Sequence, residues 1–559
     1  MQSLRRLRQL DTKLADWLAC DWDIAAADQR ELLAGSLRQR QLKSCLEQLK
    51  QTGQSKVLLA GEFKQLARLL NSSELFSLDI AGVYCPDIET PAPLPVYQDN
   101  SRVAEPLAAL SAQMDLPLIN LGLEPETLAG IAITQRFDVF WSANTAPADL
   151  VTNSLAHKRD AAFEFHRDNI DAVYVPGKTV LFAATIEYFN FLRISEELRA
   201  RGYRTVFVSL YTSSQQHKTA AFDYSCSADG DLELFYSLLN SHAYRVVHFQ
   251  GWMCNHEYAA AAVRLVQSPI VVDINDIPHF FLQPDHFDAV FGEQVFQREH
   301  YCLQVIAENA DALVANCSAE YLQKFVEVLD AKALPELRPF HAWPSPSHFF
   351  HAPTDNKYKI VFPGTLLPSN FPADAFDDGQ LITMIRNYLL PQGLAYAVFL
   401  NPFSGGRLDN RYWDYQTLAK LEPDFEVFEG VSSNAVVEQI SHMGFGGMFY
   451  LFGDHFKVMM EHYHSILPTK FFTMLEAGLP IIYNEEFHYM HELVSDYRLG
   501  FAVSQDDIRQ GRIREKIDAC DYEQLKQNVL RFREDYSMSR KIGDLLQVYD
   551  HATRQRSAS

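Results

Sequence analysis

Residues 467–484 read LPTKFFTMLEAGLPIIYN, and this stretch decides the fold class. Pro468 suits the first turn of a helix, where a backbone N–H has no partner to lose. Lys470 to Ala477 then makes about two turns, apolar at Phe471, Phe472, Met474 and Leu475. Gly478 can take the left-handed conformation that ends a helix, and Pro480 stops the helix from continuing. Ile481, Ile482 and Tyr483 follow as a short run of β-formers, the pattern of a strand buried on both faces. A helix that passes into a buried strand within a few residues is the joint of a parallel α/β sheet. The start of such a helix points outward, and its free N–H groups make a ready anion site, phosphate above all. The stretch alone leaves a purely structural joint equally open.

Outward from this joint the chain repeats the same rhythm. KYKIVFPGTL opens a unit with a strand at Tyr358–Phe362, and LAYAVFLNP, DFEVFEGV, GMFYLFG and GFAV supply further strands. Upstream, GKTVLFAATIEYFNFLRISEELRARGYRTVFVSL reads strand Thr179–Ala183, helix, stop at Gly202, strand Thr205–Leu210. YRVVHFQGW gives a strand at Arg245–Phe249 ending at Gly251, and SPIVVDINDI one at Ile270–Asp273; a helix through EQVFQREHYCLQVIAENA precedes strand DALVANCS. Alternation of apolar strands and helices predicts two doubly wound parallel sheets. Before them, residues 1–52 read as a helical segment. Residues 53–170 read as a small α/β domain with a linker helix, including the strand Lys56–Ala60. The boundaries that follow are 1–52, 53–170, 171–345 and 346–559.

The totals bound the function. At 559 residues the chain exceeds one core, and 47% hydrophobic residues can fill several. A formal charge of -22 excludes a nucleic-acid binder, which needs a basic face. The eight cysteines form no C-x-x-C pair, so neither a zinc site nor a disulfide framework is indicated, and reduced thiols in the cytoplasm are expected. No apolar run approaches the roughly 20 residues of a membrane span. Leu4, Leu7, Leu10, Leu14 and Leu18 recur at helical spacing near Arg5, Arg6, Arg8 and Lys13. That stripe fits packing against a neighbouring helix, or peripheral contact with the inner, anionic membrane face.

Five segments in order carry a resemblance: LRARGYRTVFVSL, RVVHFQGW, ENADALVANCSAEYLQKF, KIVFPGTL and LPTKFFTMLEAGLPIIYN. From about 175 to 550, two thirds of the chain, the sequence resembles GT-B-fold glycosyltransferases of the kind grouped in glycosyltransferase family 4. The resemblance implies two Rossmann-like domains facing a cleft. It implies metal-independent, retaining transfer of a sugar from a UDP- or GDP-linked donor to a glycan, lipid or protein acceptor. No cofactor is implied beyond the nucleotide-sugar itself. Residues 1–170 match no part of that pattern and offer a surface for homo-oligomer assembly. The alternative is a catalytically degenerate GT-B module that binds a nucleotide-sugar or serves assembly.

Residue by residue, the resemblance places Gly364 and Thr365 in the first loop of the donor domain, and Thr469 and Lys470 at the helix start facing the diphosphate. A lysine brings a full charge and three donors, which suits phosphate. Many members carry two glutamates eight residues apart; the matching positions are Ser465 and Thr473. Thr473 can still bond a ribose hydroxyl, and Glu476, about one turn further along, could bind the donor, cap, or face the core edge. On the acceptor side, His248 at the end of its strand could orient a sugar hydroxyl or move a proton, or be a satisfied core histidine. Asp273 and Asp276 in DINDI could hold an acceptor hydroxyl, act as a base, or cap a turn. Glu187 is a further cleft candidate. Asp229-Gly230-Asp231 reads as a turn and helix cap rather than a metal motif. His488 with His491, and Cys254-Asn255-His256-Glu257, are unspecific as metal or nucleophile sites.

Overall fold

The computed structural model describes residues 2–19, 56–60, 79–85, 92–93, 103–106, 118–120, 136–138, 148–186, 189–211, 221–331, 335–364, 381–400, 412–429, 431, 433–452 and 457–558. The chain divides into two compact units, Cys20–Glu164 and the remainder, Met1–Ala19 with Phe165–Ser559.

In the smaller unit the described strands are β1 (Lys56–Ala60), β2 (Asp79–Cys85), β3 (Ala92–Pro93), β4 (Val103–Pro106), β5 (Leu118–Asn120) and β6 (Arg136–Asp138). They form one sheet in the order β3-β4-β2-β1-β5-β6, parallel except for the β3–β4 pair.

The larger unit holds two parallel sheets. One contains β7 (Thr179–Ala184), β8 (Arg204–Ser209), β9 (Tyr224–Ser227), β10 (Val246–Trp252), β11 (Ile270–Asn275), β12 (Ala312–Ala315) and β13 (Glu336–Pro339), ordered β13-β12-β11-β10-β7-β8-β9. The other contains β14 (Asn356–Gly364), β15 (Ala395–Leu400), β16 (Phe425–Phe428), β17 (Met443–Met448), β18 (Ile481–Asn484) and β19 (Gly500–Val503), ordered β16-β15-β14-β17-β18-β19. Both orders are doubly wound. The winding reverses between β7 and β10 in one sheet and between β14 and β17 in the other, which is where open α/β sheets bind ligands. Every residue of β7, β11, β15, β17 and β18 is buried, as strands covered by helices on both faces must be.

β17 lies earlier in the chain than GMFYLFG suggested. Its sequence is MGFGGM, and three glycines weaken any strand signal. Close packing requires them. A Cβ on Gly446 would overlap Met474 of the helix Thr469–Glu476, and one on Gly444 would overlap the main chain of Lys357, where the β14–β17 register shifts.

Helix Met538–Ala558 follows the last strand and returns to the β7–β13 sheet. Its Tyr549 is buried against His248, Arg245 pairs with Asp550, and Arg556 reaches Asp311 at 3.3 Å. The amino-terminal stripe is an internal packing surface. Leu7, Leu14 and Leu18 are fully buried, and Ser3 and Asp11 bond Glu233 and Tyr301. Leu4 is partly buried and Leu10 is exposed, so three of the five leucines of the stripe face protein. Among the described residues, no helix is long and apolar enough to cross a membrane.

Candidate functional site

The carboxyl ends of the two sheets meet in one crevice. The residues leaving β12 and those entering the helix Thr469–Glu476 touch directly. Cys317 and Ile466 form a β-bridge, the Ser318 N–H donates to the Ser465 carbonyl at 3.3 Å, and Asn316 Nδ2 donates to the Leu467 carbonyl at 2.6 Å. Between them lies a cavity of about 10 Å³, room for roughly one water, lined by Asp276, Asn316 and Cys317 on one side and His462 and Ser465 on the other.

The helix begins at Thr469 with Pro468 as its cap, and no side chain caps it. Within its first turn the Phe471 N–H donates to the Pro468 carbonyl at 2.9 Å. Lys470 stands in this turn, its Nζ donating to Tyr450 Oη at 2.7 Å and lying 4.3 Å from the centre of the Phe362 ring. Gly364 ends β14 next to it, and a Cβ there would lie 3.7 Å from Lys470 Cδ. The structure thus brings together Gly364, Thr469 and Lys470 at the switch point of the second sheet. Thr365 and Glu187 lie outside the described residues.

Sequence reasoning missed the residues that fix this corner. Tyr450 leaves β17, and its backbone is held by the buried Asn484, whose Oδ1 accepts from Tyr450 N at 2.6 Å and whose Nδ2 donates to Tyr450 O at 3.2 Å. Gln505 donates to the same carbonyl at 3.1 Å and accepts from Phe452 N at 2.9 Å. Tyr450 is thereby set to hold the lysine. An asparagine closing the strand IIYN was the one available signal.

Other expectations fall elsewhere. Thr473 is 8% exposed and donates to the Thr469 carbonyl at 3.4 Å, a bond within its own helix. The Ser465 hydroxyl likewise donates to the His462 carbonyl at 3.0 Å. Glu476 faces the other half of the unit, not the helix start. Its carboxylate takes two bonds from Arg193, at 2.9 and 2.8 Å, and one from Ser345 N at 2.8 Å, all buried. Arg193 lies on the helix Phe189–Ala200 that follows β7, so the pair ties the two sheets together.

His248 does not end its strand. β10 continues to Trp252, because Gly251 pairs in register with Ile274 of β11. The imidazole is fully buried, bonded through Nδ1 to Tyr549 Oη at 2.7 Å, and burial drives its pKa down to about 3. It is a neutral core histidine. Asp273 also lies inside its strand, 1% exposed, and burial raises its carboxyl to about 7 against a lowering by Asn190. Asp276, the first residue past β11, has a left-handed φ of 55° and accepts from Trp252 Nε1 at 3.1 Å. It is the acidic candidate that lines the cavity.

The alternative motifs resolve structurally. Asp231 caps the helix Leu232–Leu239. His488 stacks on His464 while His491 bonds Tyr483. Burial pushes the Cys254 thiol up to about 12, away from nucleophilic use. Among the described residues, no group of three or more His, Cys, Asp or Glu is placed to hold a metal.

Two Rossmann-ordered sheets sharing a crevice, with a last helix returning to the first sheet, are the GT-B architecture, and the chain has a glycosyltransferase-like fold. More particularly, residues 404–540 match the family described as Glucosyltransferase 3-like, C-terminal domain. No curated protein matches the sequence. Solved structures similar to the chain include a UDP-glucose:anthocyanidin 3-O-glucosyltransferase in complex with UDP, at 11% identity, covering 69% of this chain and 100% of that one, TM-score 0.37. A calicheamicin glycosyltransferase follows at 15% identity, covering 66% and 98%, TM-score 0.35. The UDP-N-acetylglucosamine 2-epimerase of Rickettsia bellii gives 13%, 67% and 98%, TM-score 0.39.

Proposed function

We propose that the protein transfers a sugar from a UDP- or GDP-linked donor to an acceptor hydroxyl, as a metal-independent and retaining enzyme of the family 4 kind. The observation that carries this reading is the corner of Gly364, Thr469 and Lys470 at the switch point of the second sheet. The leaving diphosphate would lie against the helix start, its charge met by Lys470 and the helix dipole. The acceptor oxygen attacks the anomeric carbon as the carbon–oxygen bond to the diphosphate breaks, and the hydroxyl proton passes to the departing phosphate oxygen. Retention by this front-side route needs no side-chain base. That fits a crevice in which His248 and Asp273 are buried and Ser465 and Thr473 replace carboxylates. Asp276, which lines the cavity, would orient the acceptor.

The test is a panel of UDP-, GDP-, ADP-, TDP- and CMP-sugars with and without EDTA, reading thermal shift for binding and free nucleotide for turnover. A shift and EDTA-resistant release with one donor, both weakened in Lys470→Ala, is the expected result. A shift with no release, even with acceptors added, favours a second reading. In it the chain is a degenerate module that binds a nucleotide-sugar, as the missing carboxylates at 465 and 473 suggest. No shift with any donor would refute both.

A further inference from the structure

A chain of hydrogen bonds runs between the two sheets beside the crevice, and one backbone carbonyl sets the direction of every link. The Leu467 carbonyl, two residues before the helix Thr469–Glu476, can only accept. Asn316, the first residue past β12, therefore turns its amide nitrogen to it, with Nδ2 at 2.6 Å. That leaves Asn316 Oδ1 facing His341 Nδ1 at 2.8 Å. An amide oxygen only accepts, so His341 Nδ1 carries the proton. Burial, with Lys541 adding to it, drives His341 down to about 3, so the ring holds one proton at neutral pH and its Nε2 is an acceptor. Tyr489 Oη, 2.8 Å from that Nε2, must then donate, and burial pushes its hydroxyl up to about 12, which keeps its proton in place. The relay thus runs one way, from Tyr489 through His341 and Asn316 to Leu467.

Its members alternate between the two halves of the unit. Tyr489 lies on the helix His488–Tyr497 that follows β18, His341 two residues past β13, Asn316 past β12, and Leu467 leads into the helix that carries Lys470. His341 also meets that helix directly, its ring inclined by only 18° to Phe472 with centroids 6.2 Å apart. His341 is 2% exposed and Leu467 fully buried, so water competes little at the centre of the relay. The groups assigned to the diphosphate, Gly364, Thr469 and Lys470, all belong to the second sheet and its helix, whereas Asp276 follows β11 of the first. Transfer depends on the distance between these two sets, and a misplacement of about 1 Å can cost on the order of 100-fold in rate.

We propose that Asn316 is a positioning residue. Held from behind by His341 and Tyr489, it sets the start of the Lys470 helix against the end of β12 and so fixes the gap that the sugar crosses. The inference rests on the transferase reading and adds to it a residue that acts through Leu467 rather than on the substrate.

The test uses the full chain as wild type, Asn316→Asp and Tyr489→Phe. Asn316→Asp keeps the size of the side chain and its bond to His341 but turns an oxygen onto the Leu467 carbonyl. Tyr489→Phe leaves His341 Nε2 without its donor. Hydrogen exchange over 466–476, read by mass spectrometry beside the melting temperature, reports the tether. Calorimetry and nucleotide release, with the donor from the panel above that the wild type turns over, report Kd and kcat. In Asn316→Asp, exchange over 466–476 should quicken about tenfold or more. Its kcat should fall about tenfold or more while the donor Kd stays within about threefold, and Tyr489→Phe should move the same way by smaller factors. A bond of structural value alone would lower the melting temperature and leave kcat and Kd of the folded protein as they were. Unchanged exchange in both variants overturns the proposal. So does faster exchange with unchanged kcat, or a Kd that rises as far as kcat falls, because donor binding rather than register is then lost. If the wild type releases nucleotide from no donor, the transferase reading fails and the exchange result alone decides the tether.

Discussion

Replacing Glu476 with glutamine should unfold the protein's two-sheet unit more easily than any surface substitution. The Arg193 and Glu476 side chains are 0% and 1% exposed, and their two bonds measure 2.9 and 2.8 Å. Glutamine keeps an oxygen for Ser345 N and Arg193 Nε but turns an NH2 toward Arg193 Nη2, so the change removes the charge and one bond together. What remains is an arginine that cannot shed its proton, buried without its counterion. Stranding one partner of such a pair costs about 3–5 kcal/mol. Neither group is exposed, so salt should not screen the effect, unlike a surface pair. Combining it with Arg193→Met removes both charges and should restore most of the loss, a coupling of roughly 2 kcal/mol or more. Urea unfolding followed by tryptophan fluorescence gives each midpoint, in low and in high salt. A single variant within about 0.5 kcal/mol of wild type, or a double variant costing the sum of the singles, would refute the clamp.

Lys470→Ala should weaken nucleotide-sugar binding by about 10- to 100-fold, the worth of one charged hydrogen bond, and Tyr450→Phe by a smaller factor; calorimetric titration measures both. Asp273 has a folded pKa raised to about 7 from 3.8, so its stabilising contribution is complete below about 4 and is lost as pH rises through 7. Asp273→Asn should flatten that part of the stability–pH curve. His248 acts oppositely: lowered from 6.5 to about 3, it loses stability as pH falls through that window, so the variant-minus-wild-type difference is the quantity to plot. Gly444→Ala should lower the melting temperature more than Gly446→Ala, because the first Cβ meets the Lys357 main chain and the second a flexible methionine.

The joint at 467–484 was legible because each of its signals is local: proline at the start, glycine at the stop, β-branched residues after. Helix and strand came out within a residue of their observed bounds, Thr469–Glu476 and Ile481–Asn484. β17 was misplaced because its glycines answer to Met474 and Lys357, which no local pattern reveals. His248 was taken for a strand end because Gly251 looks like punctuation, whereas its pairing with Ile274 carries the strand onward. Lys470 with Gly364 could be paired from sequence only through the family resemblance. Glu476 with Arg193, 283 positions apart, had no sequence signal at all.

The return of helix Met538–Ala558 to the first sheet has a consequence for synthesis. The β7–β13 layer is complete as a sequence near residue 340, but the tyrosine that covers His248 is residue 549. Roughly 200 residues, on the order of 10 to 40 s of translation, separate the two. Through that interval His248 has Phe191 of the helix Phe189–Ala200 beside it but lacks its bond to Tyr549. The cover over His248 is thus completed by a helix made long after the strands it protects.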